Sequence, residues 1–231
     1  MKRLSAFVVS LCSTFMLFAG DAAVFTDIGF SEDGKTYIFA QYGKLDKSYQ
    51  AWAEIYTVDV EKNDYVKGGV FKIEASEKTS NLSGKKAFEQ LREKTEWQTA
   101  KYNCEPSSAQ NLLYTRGFNT EAKEEIVFKD FESDDEDSAF YHVKLVPTYE
   151  GKGKNVSSKY YIVFEKKDKD GTVLLSKQVG TPNFSRKGIS NYTIDRIFTD
   201  KTGKSVVFII EKTLEDDTGK SIRYMVETVR M

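Results

Sequence analysis

Residues 29–36 read "GFSEDGKT" and match, letter for letter, the phosphate-binding loop pattern G-x-x-x-x-G-K-[ST]. Such a loop holds phosphate only where it opens a helix, so that its lysine and the first backbone N–H groups converge on the anion. The residues after Lys35 are Thr36, Tyr37, Ile38, Phe39, Ala40, Gln41, Tyr42 and Gly43. Aromatic and β-branched residues with an early glycine favour a strand. Glu32 and Asp33 would also set two negative charges where phosphate must sit. Two further Gly-Lys-Ser turns, at 202–205 and 218–221, lack the first glycine and run into strand-forming residues as well. The eight residues are therefore read as the turn of a β-hairpin, and no nucleotide or other cofactor is expected.

Outward from this turn, "TYIFAQY", "AWAEIYTVDV" and "GGVFKIEA" alternate at period two and are bounded by the turn formers "EDGK", "GKLDKS", "EKND" and "KGG". They predict an antiparallel meander with one apolar face and one wet face. The character changes at about 80–116. "SGKKAFEQLREKTEWQTAKY" places Phe88, Leu91, Thr95 and Tyr102 near helical spacing, and "PSSAQNLLYTRG" begins with Pro106 and stops at Gly117, so two helices are predicted there. Strand patterns return in "EEIVFKDF", "AFYHVKLVPTYEG", "SKYYIVFEKK" and "GTVLLSKQVG", the last two forming a hairpin that turns at Asp170-Gly171.

The end of the chain repeats its beginning. "FSEDGKTYIF" aligns with "FTDKTGKSVVF" when one residue is inserted in the turn, and "IYTVDV" aligns with "RYMVET" through Tyr56 and Tyr224. A three-strand unit is thus expected at both ends. The last strand, "SIRYMVETVR", sets Ile222, Tyr224 and Val226 on one face. An unpaired strand would expose a row of backbone donors and acceptors, so it is expected to complete an antiparallel sheet with Tyr224 buried. The predicted fold is mainly β, with antiparallel meanders, propeller-like hairpin repeats at both ends and a helical insertion.

The phrase "FSEDGKTYIF" resembles locally the blade motif of Tol-type β-propellers, in which Phe, Asp-Gly-Lys and an apolar strand form one hairpin. A full propeller needs about four or more blades of about 40 residues, more than this chain supplies once the helices are set aside. A wider resemblance spans nearly the whole mature chain. "FTDIGFSEDGKTYIFAQYGKLDKS", "AWAEIYTVDVEKNDYVKGG" and "IRYMVETVRM" are similar to the bacterial family of predicted secreted proteins called domain of unknown function 2259. That resemblance implies export and carries no catalytic residues with it.

The N-terminus gives the same answer independently. Met1-Lys2-Arg3, the apolar run "LSAFVVSLCSTFMLFAG" and the small residues "DAA" at 21–23 form a secretory signal peptide, residues 1–22, cut after Ala22 or Ala23. The run is shorter than the roughly 20 residues of a membrane span, and no charged stop-transfer cluster follows, which disfavours an uncleaved anchor. Residues 23–231 are then a single exported domain, periplasmic or secreted, with no transmembrane segment. Cys12 departs with the signal peptide and sits too deep in its apolar core to take a lipid. Cys104 alone remains, so no internal disulfide forms and the thiol is expected in the core. A net charge of −1 and a pI of about 6.0 argue against nucleic acid as a partner.

Catalytic constellations are sparse. His142 is the only histidine, which excludes multi-histidine metal sites, and it lies in the alternating strand "FYHVKL". No G-x-S-x-G elbow supplies a nucleophile. The run "DFESDDEDS" at 130–138 is a candidate cation loop, but it lacks the glycine that shapes a sharp oxygen-ligand turn. Carboxylates are numerous enough to form a hydrolytic pair. In "QYGKLDKSYQAWAE", Tyr42, Tyr49 and Trp52 stand among polar residues and form the expected recognition loop. The composition points to a non-catalytic binding module for an envelope protein or small ligand, with a carboxylate-dependent hydrolase as the alternative.

Overall fold

The computed structural model describes residues 21–117, 123–130, 133, 138–216 and 219–231. In chain order, β1 (Asp21–Ala22) precedes the meander β2 (Val24–Phe30), β3 (Thr36–Lys44), β4 (Ala51–Asp59) and β5 (Asp64–Ile73). The helix α1 (Gly84–Tyr102) and the short strand β6 (Leu112–Thr115) follow. Then come β7 (Ile126–Lys129), β8 (Ala139–Glu150), β9 (Ser157–Asp168), β10 (Val173–Val179), β11 (Arg186–Lys187), β12 (Ile189–Thr199), β13 (Ser205–Asp216) and β14 (Gly219–Arg230). They build three sheets: β2-β3-β4-β5, β10-β9-β8-β7 with β11 on β9, and β1-β14-β13-β12-β6.

The sheets stack as layers, with the β14-containing sheet in the middle. Val206, Phe208 and Ile210 of β13 pack with Tyr160, Ile162 and Phe164 of β9. The alternate residues Val207 and Ile209 pack instead with Phe25, Tyr37 and Phe39 of the first sheet. The other face of that first sheet, through Ile38, Ala40, Ala53 and Ile55, is covered by Ala87, Phe88 and Leu91 of α1. These helix residues recur on one stripe, as a helix lying on a sheet requires. Ser83 caps the helix start, its Oγ accepting from Lys86 N at 3.1 Å. The expectation of one wet face per strand is corrected for β3 and β13. Residues 36–41 and 205–210 are all buried, because both strands have a layer on each side.

The opening motif is the β2–β3 turn, as expected. Ser31 N donates to Thr36 O at 2.8 Å, Thr36 N to Ser31 Oγ at 2.9 Å and Gly34 N to Ser31 O at 2.9 Å. The β12–β13 turn repeats this set: Asp200 N donates to Ser205 O at 3.0 Å, Ser205 N to Asp200 Oδ1 at 2.8 Å and Gly203 N to Asp200 O at 3.1 Å. The turns therefore match without an insertion, and the extra residue, Thr199, lies before the turn. They also dock on one another, with Ser205 Oγ donating to Gly34 O at 2.8 Å and Arg230 Nη1 to Asp33 O at 3.1 Å. Lys35 itself is exposed. Lys35→Ala is expected to change stability by less than about 0.5 kcal/mol, since surface positions rarely cost more. A chemical-denaturation midpoint checks this.

Four further expectations need correction. The repeat is real as a meander, β2-β3-β4 against β12-β13-β14, but a propeller is not confirmed, since the sheets form layers. Within the repeat, Thr36 faces Asp59 and Ser205 faces Arg230, so Tyr56 corresponds to Glu227 and not to Tyr224. Register is set by the turn, and it matches "YTVD" at 56–59 with "ETVR" at 227–230. The second predicted helix does not form. Residues 109–111 make one 3₁₀ turn and 112–115 become β6, which pairs with β12 through Ile197↔Tyr114. An open sheet edge competes successfully with the weak helical preference of four residues. Finally, β14 does pair antiparallel along β13, but Tyr224 is only half-buried, its ring edge-on to Phe25 at 5.5 Å.

Candidate functional site

A groove runs beside the outer edge of β14, where the three sheets meet. Its walls are the β4–β5 turn and the segment between β10 and β11. One lobe, of about 440 Å³, is lined by Lys62, Asn63, Tyr65, Phe184, Arg186 and Val226 among others. A second lobe of about 610 Å³ continues past Lys62, Asn63 and Thr181 towards Thr228 and Met231. Asn63 occupies the tip of its turn with φ 51°, a conformation asparagine tolerates better than most residues. Phe184 and Tyr65, 57% and 41% exposed, stand at the rim of the first lobe.

Glu227 sits at the floor with only 5% of its surface exposed. Strand alternation turns it towards the β9 sheet. Its Oε1 accepts from the Tyr160 hydroxyl at 2.5 Å and its Oε2 from Asn63 Nδ2 at 2.5 Å. Burial first, and then the Glu227 charge, push the Tyr160 hydroxyl well above the ordinary tyrosine range, so it remains a donor. Arg186 Nη2 stands 3.9 Å from Glu227 Oε1. Its guanidinium lies over the Tyr160 ring at 4.7 Å and the Phe184 ring at 4.8 Å. A buried carboxylate is thus satisfied by neutral donors, while a stacked cation stands next to it at the groove wall.

The residues expected from the sequence lie elsewhere. Trp52 is 6% exposed, with the Arg223 guanidinium 4.2 Å over its ring, and Tyr42 stacks on Phe88 at 5.1 Å. Tyr49, 69% exposed, is the one of the three at the surface, so Tyr42, Tyr49 and Trp52 do not share one face. His142 Nδ1 pairs with Glu125 Oε1 at 3.0 Å on β8, between β9 and β7. Cys104 is buried and its thiol is pushed up to about 12, chiefly by burial, which leaves it unreactive at neutral pH. Of the acidic run, Asp130 is buried against Lys166 Nζ at 2.5 Å, and residues 131–132 and 134–137 lie outside the described residues. Among the described residues no group of His, Cys, Asp and Glu has a metal-holding arrangement.

Among the described residues, Asp195 and Glu211 form a carboxylate pair. Arg116 Nη2 lies 2.6 Å from Glu211 Oε2 and 3.5 Å from Asp195 Oδ1, which places the two acids within about 6 Å of each other. Burial raises the Glu211 carboxyl; Arg116 opposes the rise and Asp195 adds to it. The guanidinium engages both acids, and neither lines the groove.

Sequence reasoning missed Asn63, Arg186 and Glu227. The available signal was Glu227, an acid at an inward position between Val226 and Thr228 of a strand whose neighbours are apolar. Its partners come from positions 63, 160 and 186, which share no local pattern.

A model of the family described as predicted secreted protein (DUF2259) matches residues 38–230. No curated protein and no solved structure matches the chain.

Proposed function

The chain belongs to this family of predicted secreted proteins, and on that premise we propose that it is a non-catalytic binding module of the cell envelope, periplasmic or surface-held, with its ligand in the groove along β14. The observation that carries the reading is the groove's make-up: polar groups converge inside it and aromatic rings stand at its mouth, as in small-molecule sites. No helix among the described residues is long and apolar enough to cross a membrane. A thermal-shift screen of amino acids, short peptides, sugars and sugar acids tests the reading. A ligand at about 100 times its Kd should add about 2.7 kcal/mol of stability. The shift should vanish in Phe184→Ala and in Thr181→Trp, which fills the groove. A shift that survives both variants, or a ligand consumed during the assay, would overturn the reading.

A carboxylate-dependent hydrolase is the second reading, and Asp195 with Glu211 is the pair that favours it. A buried acid of raised pKa beside a second carboxylate is how general acids are arranged. Arg116 between them weighs against it.

Export also bears on where the mature chain begins. Asp21 is 7% exposed, and its Oδ2 lies 2.5 Å from Arg223 Nη2, the same guanidinium that stacks on Trp52. β1 pairs parallel with β14 at Asp21↔Ser221 and Ala22↔Ile222, and Ala23 N donates to Ile222 O at 3.0 Å. A cut after Ala22 would strip a largely buried guanidinium of its carboxylate, a loss of about 3–5 kcal/mol. The mature chain is therefore proposed to retain Asp21, with the signal peptide ending before it. N-terminal sequencing of exported protein is expected to include Asp-Ala-Ala-Val, and a start at Ala23 or Val24 would return the boundary to 22–23.

A further inference from the structure

Resting on the reading that the groove holds a ligand, we infer that it takes the C-terminal end of a short peptide, with one amide on the β14 edge at Val226 and the terminal carboxylate on Arg186. Tyr224 N donates to Gln41 Oε1 at 2.8 Å and Thr228 N to Asn63 Oδ1 at 2.6 Å, so both residues turn their backbone groups away from β13. That direction alternates along an antiparallel pair. Val226, two residues from each and opposite Ile209 in the same ladder, therefore presents its N–H and C=O outward as well. β1 covers β14 only at Ser221 and Ile222. The side chains of Gln41 and Asn63 close the edge on either side of Val226. What remains is an opening one residue wide, which excludes a long added strand and fits a single amide.

The charges of the first lobe select the other end of the ligand. Glu227 is already hydrogen-bonded by Tyr160 and Asn63. Asp64 Oδ1 accepts from Tyr65 N at 2.7 Å, and Lys62 Nζ pairs with Asp59 Oδ2 at 2.5 Å. Arg186 is different. Its Nη1 donates to Phe184 O at 3.3 Å, the Tyr192 hydroxyl is a further partner, and the 3.9 Å to Glu227 exceeds hydrogen-bond reach. A guanidinium carries five donors, so it keeps capacity at the groove wall, in a planar fork that suits a carboxylate. The exposed rings of Phe184 and Tyr65 would flank an apolar or aromatic last side chain. A neutral sugar would stack on the rings but leave the guanidinium unused.

The test is titration of the ¹⁵N-labelled, full mature protein with N-acetylphenylalanine, which carries one amide, one ring and one carboxylate. The Val226 amide resonance is expected to shift saturably. N-acetylphenylalanine amide, which lacks the charge, should bind roughly tenfold more weakly or worse. Arg186→Gln should erase that preference and the charge-keeping Arg186→Lys should retain part of it, each checked for an unchanged melting temperature. If maltose shifts the groove amides while N-acetylphenylalanine leaves Val226 unmoved, the groove remains a binding site and the peptide inference fails. Equal affinity for the acid and the amide overturns the carboxylate contact. If none of the probes moves any groove amide, the inference and the binding reading both fall.

Discussion

Gly29→Ala is expected to cost roughly 3–5 kcal/mol, a large share of the about 5–15 kcal/mol that holds a typical domain folded. Gly29 has φ +108°, a conformation that side-chain-bearing residues rarely adopt. A Cβ there would lie 1.6 Å from the carbonyl oxygen of Glu105 and 2.3 Å from its carbonyl carbon. These are backbone atoms, so no side chain can swing away to make room. The segment that would have to move is tied down on both sides. Glu105 N donates to Phe30 O at 3.0 Å, and Ser107 N donates to Asp27 Oδ2 at 2.7 Å. Asp27 in turn accepts from the buried Tyr37 hydroxyl at 2.8 Å. Shifting 104–107 therefore disturbs both the exit from α1 and the core of the first sheet. Gly171→Ala is the control, because φ is +84° there but nothing lies within 4 Å. It should cost only the left-handed conformation, roughly 1–2 kcal/mol. Urea-denaturation midpoints compare the two, and equal losses would show that the Glu105 contact is not what requires glycine at 29.

Truncation after Lys220 is expected to abolish cooperative folding. The loss should exceed the about 2–5 kcal/mol of a large-to-Ala core substitution. The removed residues pair with β13 from Ser205↔Arg230 to Leu214↔Ser221, and β14 lies between β13 and β1. Val226 leaves the core on one face of the central sheet and Val229 leaves it on the other. Tyr160 and Asn63 lose Glu227, and Asp21 loses Arg223. Buried polar groups left without partners add about 1–3 kcal/mol each to the deficit. A truncated protein that still shows a single sharp denaturation transition, or rapid proteolytic removal of 221–231 from an equally stable domain, would contradict this account. The C-terminus is structure, and the groove depends on it.

How far each feature could be read ahead depends on how local its cause is. The β2–β3 hairpin was legible because Asp33-Gly34 and the alternation from Thr36 act within a few residues. The helix over Gly84–Tyr102 was legible because its apolar stripe recurs at helical spacing. The hairpin at Asp170-Gly171 was legible for the same reason as the first, since Gly171 adopts φ +84°. Residues 112–115 were misread, because their fate was decided by β12, some 80 residues away in sequence. Trp52 is buried although its neighbours in sequence are polar, because its neighbours in space are different, the Arg223 guanidinium among them.

The sequence by itself determined a mainly β chain, its long helix, its buried thiol at Cys104 and the hairpin character of "GFSEDGKT". These follow from backbone torsions, side-chain period and charge, all of which act over a few residues. The tertiary structure alone decided that β3 and β13 are buried on both faces, that the two Gly-Lys-Ser/Thr turns dock together, and that Asn63, Arg186 and Glu227 meet at one groove. Those outcomes depend on which face of one sheet meets which face of another. The energy that selects among such arrangements is apolar area removed from water, which is non-directional and leaves no motif along the chain.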